Sequence, residues 1–104
     1  MSGIPYYDLE NVASICRCGE YVGFSAAAER ERAAVGMTFE QGIGVLLTLT
    51  EADFEKTHSY AYGFADSYLT VFRTMDRRLI RLYVKFQITA TGRLAVLSFH
   101  ARQY

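Results

Sequence analysis

The chain has 104 residues, an apolar fraction of 51%, and 11 Lys or Arg against 11 Asp or Glu, which excludes a disordered segment and fits one domain spanning 1–104. The start, Met1-Ser2-Gly3-Ile4-Pro5, has neither the basic nor the apolar stretch of a secretory signal. No apolar run approaches the roughly 18 residues that cross a bilayer, so a cytoplasmic protein with no membrane contact is expected. The two cysteines, in Cys16-Arg17-Cys18, stand too close to staple distant segments and have no second ligand pair for zinc, so reduced thiols near a helix end are expected.

The first half reads as helices. Asp8 caps a helix with the stripe Leu9, Val12 and Cys16, ended by Gly19. Tyr21 to Phe24 is a short extended piece. Ser25 then caps a second helix, Ala26 to Ala34, stopped near Gly36. Thr38 and Gln41 have capping-box spacing and open a third helix, with Phe39, Ile43, Leu46 and Leu47 expected to point inward. Thr50 and Asp53 suggest one more short turn. From about Phe54 the period becomes 2, with strands expected at 54–61, 68–73, 80–89 and 93–102. Helices first and strands after give an α+β fold, N-terminal helices packed on a C-terminal antiparallel β-sheet.

Charge divides along the same line. Residues 1–55 carry three Arg against nine acids, a balance of −6, and residues 56–104 carry eight cations against two acids, a balance of +6. A sheet with a basic face is a surface for a polyanion.

The last hairpin sets the register of that face. With Thr91-Gly92 as a two-residue loop, Ala90 faces Arg93, Val84 faces Phe99 and Phe86 faces Leu97, which are core pairs. On the other face Tyr83 then meets His100, Lys85 meets Ser98, and Arg81 meets Arg102. Arg81 and Arg102 repel unless an anion lies between them or both splay into water.

Phenol, imidazole and cations on one sheet surface suit metal-independent RNA cleavage, in which a 2′-hydroxyl attacks the adjacent phosphorus. An imidazole, the side chain His100 supplies, is a group suited to proton transfer near neutral pH. Tyr83 acts as a base if its cationic neighbours favour the phenolate, and otherwise orients or donates. Lys56, Lys85, Arg73 and Arg81 are candidate phosphate ligands. His58 shares the face of Lys56 and Tyr60 and is a further candidate, with a solvated surface residue as the plainer alternative. Two histidines far apart in sequence, without clustered carboxylates, give no metal site, and no cofactor is expected. Gly42 and Gly44 lie inside an apolar helix rather than a phosphate loop, and no Ser or Cys nucleophile motif occurs.

The segment Leu49-Thr50-Glu51-Ala52-Asp53-Phe54-Glu55-Lys56 is similar to the Leu-Ser-Glu-x-Asp-Phe-x-Lys stretch of the MqsR (motility quorum-sensing regulator) toxins. Gly36 and Phe39 precede it at the family spacing. Tyr83-Val84-Lys85 and Val96-Leu97-Ser98-Phe99 resemble the family's final two strands, so the likeness covers roughly residues 20–104. The resemblance implies a RelE-like fold and the toxin of a type II toxin–antitoxin system. It further implies a ribosome-independent, sequence-selective endoribonuclease (mRNA interferase) that cuts single-stranded mRNA and is held inactive by a cognate MqsA-like antitoxin. The family's active-site Lys falls on Lys56 and its strand Tyr on Tyr83. Its C-terminal Lys falls on His100, and its Gln near Leu69, where no amide exists. A degenerate homologue that binds RNA or antitoxin without cutting is the alternative; a ligand-binding α+β domain with an apolar cavity under its helices is a third.

Overall fold

The computed structural model describes residues 3–74 and 76–102. Helix α1 (Leu9–Cys18) begins where the Asp8 carboxylate accepts from the Glu10 N–H at 3.1 Å. It ends at Gly19, whose φ of 74° is one that residues with a Cβ rarely adopt. Helix α2 (Ala26–Ala34) is capped by Ser25 through the Ala28 N–H. Helix α3 (Phe39–Thr48) carries a complete capping box between Thr38 and Gln41, and Glu51–Asp53 forms a single 3-10 turn. Gly42 sits in a tight spot on α3: a Cβ there would stand 3.0 Å from the Phe24 ring and 3.1 Å from Arg32, so these side chains would have to shift to admit one.

Five strands follow or interleave: β1 (Val22–Phe24), β2 (Phe54–Tyr60), β3 (Gly63–Arg73), β4 (Leu79–Ile88) and β5 (Leu94–Ala101). Their order in the sheet is β1-β5-β4-β3-β2. All pairs are antiparallel except β1 with β5, which is parallel. The C-terminal strands form the expected antiparallel sheet, and the short extended piece Val22–Phe24 adds a parallel strand at one edge, alongside β5 with Val22 opposite Leu94.

The helices cover one face of the sheet. Val12 and Cys16 of α1, Ala28 of α2 and Val45 and Leu46 of α3 form one buried cluster with Phe54, Tyr68, Leu82, Val84, Phe86, Leu94, Val96 and Phe99. Burying Cys16 pushes its thiol up to about 11, so it is an inert core residue. Leu47, expected inside, is 43% exposed. The inward stripe of α3 is Gly42, Val45 and Leu46, and Leu47 stands one residue, about 100°, beyond it.

The β4–β5 hairpin differs from its expected form in two compensating ways. The loop has three residues, Ala90 to Gly92: the Gly92 N–H donates to the Thr89 carbonyl at 2.9 Å, and Gly92 has φ 81°. Thr89, rather than Ala90, therefore faces Arg93, and Phe86 faces Val96 rather than Leu97. A register shift between Lys85 and Phe86 then leaves Leu97 as an extra residue on β5. Beyond it the expected pairs return: Lys85 with Ser98, Val84 with Phe99 and Tyr83 with His100. Strand β3 also starts at Gly63 rather than 68, because Ala61 and Tyr62 turn the chain straight from β2 into β3.

The β5 edge is closed by α2 where β1 stops. The Ser25 N–H donates to the Val96 carbonyl at 2.9 Å. One oxygen of Glu31 then takes the Phe99 N–H at 2.8 Å. A helix carboxylate thus replaces the missing strand partner.

Candidate functional site

The uncovered face of the sheet holds the candidate residues. Alternation places Tyr83 and Lys85 of β4 opposite the core residues Leu82, Val84 and Phe86. Pairing carries the face across the sheet: Tyr83 lies between His100 on β5 and Leu69 on β3, and Lys85 between Ser98 and Ser67. On β2, Lys56 pairs with Ser67 and His58 with Ala65. The β2 register shifts between Phe54 and Lys56, and the extra residue brings Glu55 onto this face as well.

Tyr83 is the hub. Its ring stacks on His100 at 5.0 Å between centroids and 29° between planes. The Arg102 guanidinium lies 5.2 Å from the Tyr83 centroid. The Tyr83 hydroxyl is 3.3 Å from His58 Nε2. His58 Nε2 also stands 3.0 Å from Ser67 Oγ, which is 2.9 Å from the Glu55 carboxylate. A chain of polar groups therefore runs Tyr83–His58–Ser67–Glu55. Ser67 is fully buried beneath these side chains.

Electrostatics differ between the two histidines. Burial, followed by the charges of Lys85 and Lys56, holds His58 below the usual imidazole value, and Glu55 and Asp66 oppose the shift. His58 is therefore a neutral imidazole at neutral pH. His100 Nδ1 lies 3.1 Å from Glu31 Oε2, across from the Phe99 N–H that the same carboxylate accepts. A carboxylate only accepts, so Nδ1 carries a hydrogen and Nε2 is left for proton transfer. Lys85 donates to the Tyr60 hydroxyl at 2.8 Å. Burial pulls the Lys85 ammonium down, but the Tyr60 hydrogen bond and the phenols of Tyr60, Tyr83 and Tyr62 together hold it above its usual value.

The other expected residues divide. Lys56 is exposed at the rim beside His58, close enough to shift its titration. Arg81 and Arg102 are opposed, the Arg102 N–H donating to the Arg81 carbonyl at 2.7 Å. Arg73 is on the same face but pairs with Leu79, four residues beyond the Leu69–Tyr83 pair, about 13 Å along the strand. It stands apart from the cluster. Three residues that sequence reasoning passed over complete it: Glu31, Glu55 and Ser67. Only the period-2 face shared by Ser67 and Leu69 signalled any of them; Glu31 comes from a helix, and Glu55 from an unforeseen bulge.

Leu69 stands directly opposite Tyr83 and is 37% exposed. With Val71 and Leu79, at 52% and 62% exposed, it makes an apolar lip beside the polar cluster. Hydrogen bonding near Tyr83 comes from His58 and Ser67 instead.

A family model described as the motility quorum-sensing regulator, toxin of MqsA, matches residues 4–101. No curated protein matches the chain.

Proposed function

The chain belongs to the MqsR toxin family, the toxins of a toxin–antitoxin system, and from that premise we propose that it is a sequence-selective endoribonuclease acting on single-stranded mRNA without the ribosome. The observation that carries this reading is Tyr83 among cations, its hydroxyl 3.3 Å from a neutral His58 and its ring stacked on a carboxylate-paired His100 with 5.0 Å between centroids. The whole chain acts as one domain, in the cytoplasm with its mRNA, and its partner is an MqsA-like antitoxin.

In the proposed reaction the RNA backbone lies across Tyr83. The ribose 2′-hydroxyl gives its proton to the Tyr83 oxygen as Tyr83 passes its own to His58 Nε2. The 2′-oxygen attacks phosphorus and the bond to the 5′-oxygen breaks. His100, entering as the imidazolium with Nδ1–H on Glu31, gives its Nε2 proton to that leaving oxygen. The products are a 2′,3′-cyclic phosphate and a 5′-hydroxyl. Before the transfer His58 Nε2 carries no hydrogen and the Ser67 hydroxyl turns its one proton toward it; once Nε2 is protonated it donates to Ser67, whose proton then goes to Glu55, so the chain stabilises the imidazolium. Lys56, Arg81 and Arg102 surround the scissile phosphate and offset its developing charge, with Lys85 beside Tyr60 toward the neighbouring phosphate.

The experiment is to incubate the protein with a defined single-stranded RNA, with and without a chelator. Cleavage that survives the chelator and leaves cyclic phosphate ends is expected; intact RNA in both arms overturns the reading. A second reading rests on two residues, Leu69 where the family carries Gln and His100 where it carries Lys. It is a homologue that binds RNA or antitoxin without cutting, and salt-sensitive binding with no product supports it.

A further inference from the structure

Three aromatic rings run outward along β2 from the centre of the site. Tyr60 lies 6.3 Å from His58 with 11° between planes, and Tyr62 lies 5.3 Å from Tyr60 with 4° between planes. The near-parallel stacking starts at the ring bonded to Tyr83 and ends in the turn between β2 and β3. None of the three rings belongs to the core, and Tyr62 is 69% exposed. Core packing therefore does not account for the alignment.

The ladder is fixed in place. Lys85 donates to the Tyr60 hydroxyl at 2.8 Å, and its ammonium lies 5.4 Å from the Tyr60 centroid. That contact holds the middle ring and sets a cation beside the row. Parallel aromatic faces next to a cation are what single-stranded nucleic acid needs: the rings stack on unpaired bases and the cation takes the phosphate between them. Tyr62 closes the row with one face toward Tyr60, so its other face is available to a base.

We propose that Tyr62, backed by Tyr60, is a stacking subsite for an unpaired nucleobase flanking the scissile phosphate, with Lys85 holding the phosphate between that base and the reaction centre. The subsite rests on the RNA-cleaving reading and adds to it the direction the strand takes, along β2 toward the β2–β3 turn. Because every base has a face to stack, it contributes affinity and alignment with little base preference.

The test uses short single-stranded RNA with 2′-O-methyl riboses, which lack the attacking hydroxyl, and reads binding by fluorescence anisotropy at fixed salt. Tyr62→Ala is expected to weaken binding about tenfold, and Tyr62→Phe to keep it. An abasic scan of the RNA should then reveal one position where the unsubstituted protein loses about tenfold while Tyr62→Ala loses nothing further. Equal losses for both proteins at every position, or unchanged binding by Tyr62→Ala, overturn the subsite. Cleavage of unmodified RNA by the unsubstituted protein would in that case leave the ribonuclease reading standing. If the unsubstituted protein neither binds nor cuts, both fall.

Discussion

Glu31 of α2 holds two consecutive residues of β5 at once, the Phe99 N–H at 2.8 Å through one oxygen and His100 Nδ1 at 3.1 Å through the other. Edge protection and histidine orientation thus share one carboxylate. Replacing it separates them. Glu31→Ala leaves the Phe99 N–H without its partner and should cost about 1–3 kcal/mol in urea unfolding. Glu31→Gln keeps one acceptor oxygen for Phe99, so it should recover most of that stability. It should not recover the cleavage rate, because with its one oxygen on Phe99 the amide turns an NH2 group toward His100 Nδ1 and cannot accept from it. Equal recovery of stability and rate by Glu31→Gln would limit Glu31 to a structural part.

Tyr83→Phe removes one oxygen and keeps the ring that stacks on His100 and lies under Arg102. Its melting temperature should stay close to that of the parent. RNA cleavage should fall by about 10²–10⁴-fold, the usual range for losing a group that moves the proton. His58→Ala should fall into the same range, and the double variant should be little worse than either, since the two residues work on one proton. Additive losses would separate them.

The lowered His58 pKa makes stability depend on pH in one direction. In the unfolded chain an imidazole takes up its proton near pH 6.5. In the folded protein it resists, through burial and then through Lys85 and Lys56. Below about pH 6.5 the unfolded state therefore binds more protons, and stability falls as pH falls through the folded value. The contribution is fully present above that range. Unfolding free energies measured from pH 7.5 to 5 should decline more steeply for the parent than for His58→Gln. Parallel curves would show that the neighbours of His58 do not act on it in this way.

Much of the site could be read from strand periodicity because the apolar pattern of β4 permits one facing. With Leu82, Val84 and Phe86 inside, Tyr83 and Lys85 have nowhere else to point. The pairing of Tyr83 with His100 was reached from a loop one residue too short, and it held because the extra Leu97 on β5 restored the count. Bulges are the kind of irregularity that a period-2 pattern does not encode, which is also why Glu55 was missed. Glu31 was hidden for another reason: nothing local in a helix of Ala, Glu and Arg says which acid will meet a strand edge distant in sequence. The extended piece at Tyr21 to Phe24 was legible but its parallel pairing with β5 was not, because three residues are too few for a period to pick a partner.

Leu69 offers a direct comparison with the family pattern. It faces Tyr83 across β3 and β4 and is 37% exposed, so Leu69→Gln should fold normally and shift stability by no more than about 0.5 kcal/mol. The new amide would stand beside the Tyr83 hydroxyl, where a further hydrogen-bonding group can orient phosphate. The cleavage rate should rise, with the Michaelis constant moving less than kcat. A fall in rate would mean that the apolar lip of Leu69, Val71 and Leu79 is itself part of how RNA is held.

Asp66 is a further carboxylate that the polar pattern does not announce. It is fully buried on β3, and its oxygens accept from the backbone of Tyr6 at 3.2 Å, the backbone of Tyr7 at 2.8 Å and the Thr57 hydroxyl at 2.6 Å. The segment ahead of α1 is thereby tied to the β2–β3 hairpin, with the Tyr7 hydroxyl adding a bond to the Phe64 carbonyl at 2.7 Å. That hairpin carries Glu55, Lys56, His58 and Ser67, so the tie also steadies one side of the site. Asp66→Ala removes three acceptances at once and leaves Thr57 and two amides to find water. The expected loss is about 3–5 kcal/mol, as when one partner of a buried charge-assisted set is removed. Asp66→Asn keeps one acceptor oxygen and should lose less. Amide hydrogen exchange separates a local role from a global one: in Asp66→Ala, Tyr6, Tyr7 and the β2–β3 pair should exchange faster while Leu82, Val84 and Phe86 of β4 stay protected. Uniform protection across all of these would show that the carboxylate does not anchor the hairpin.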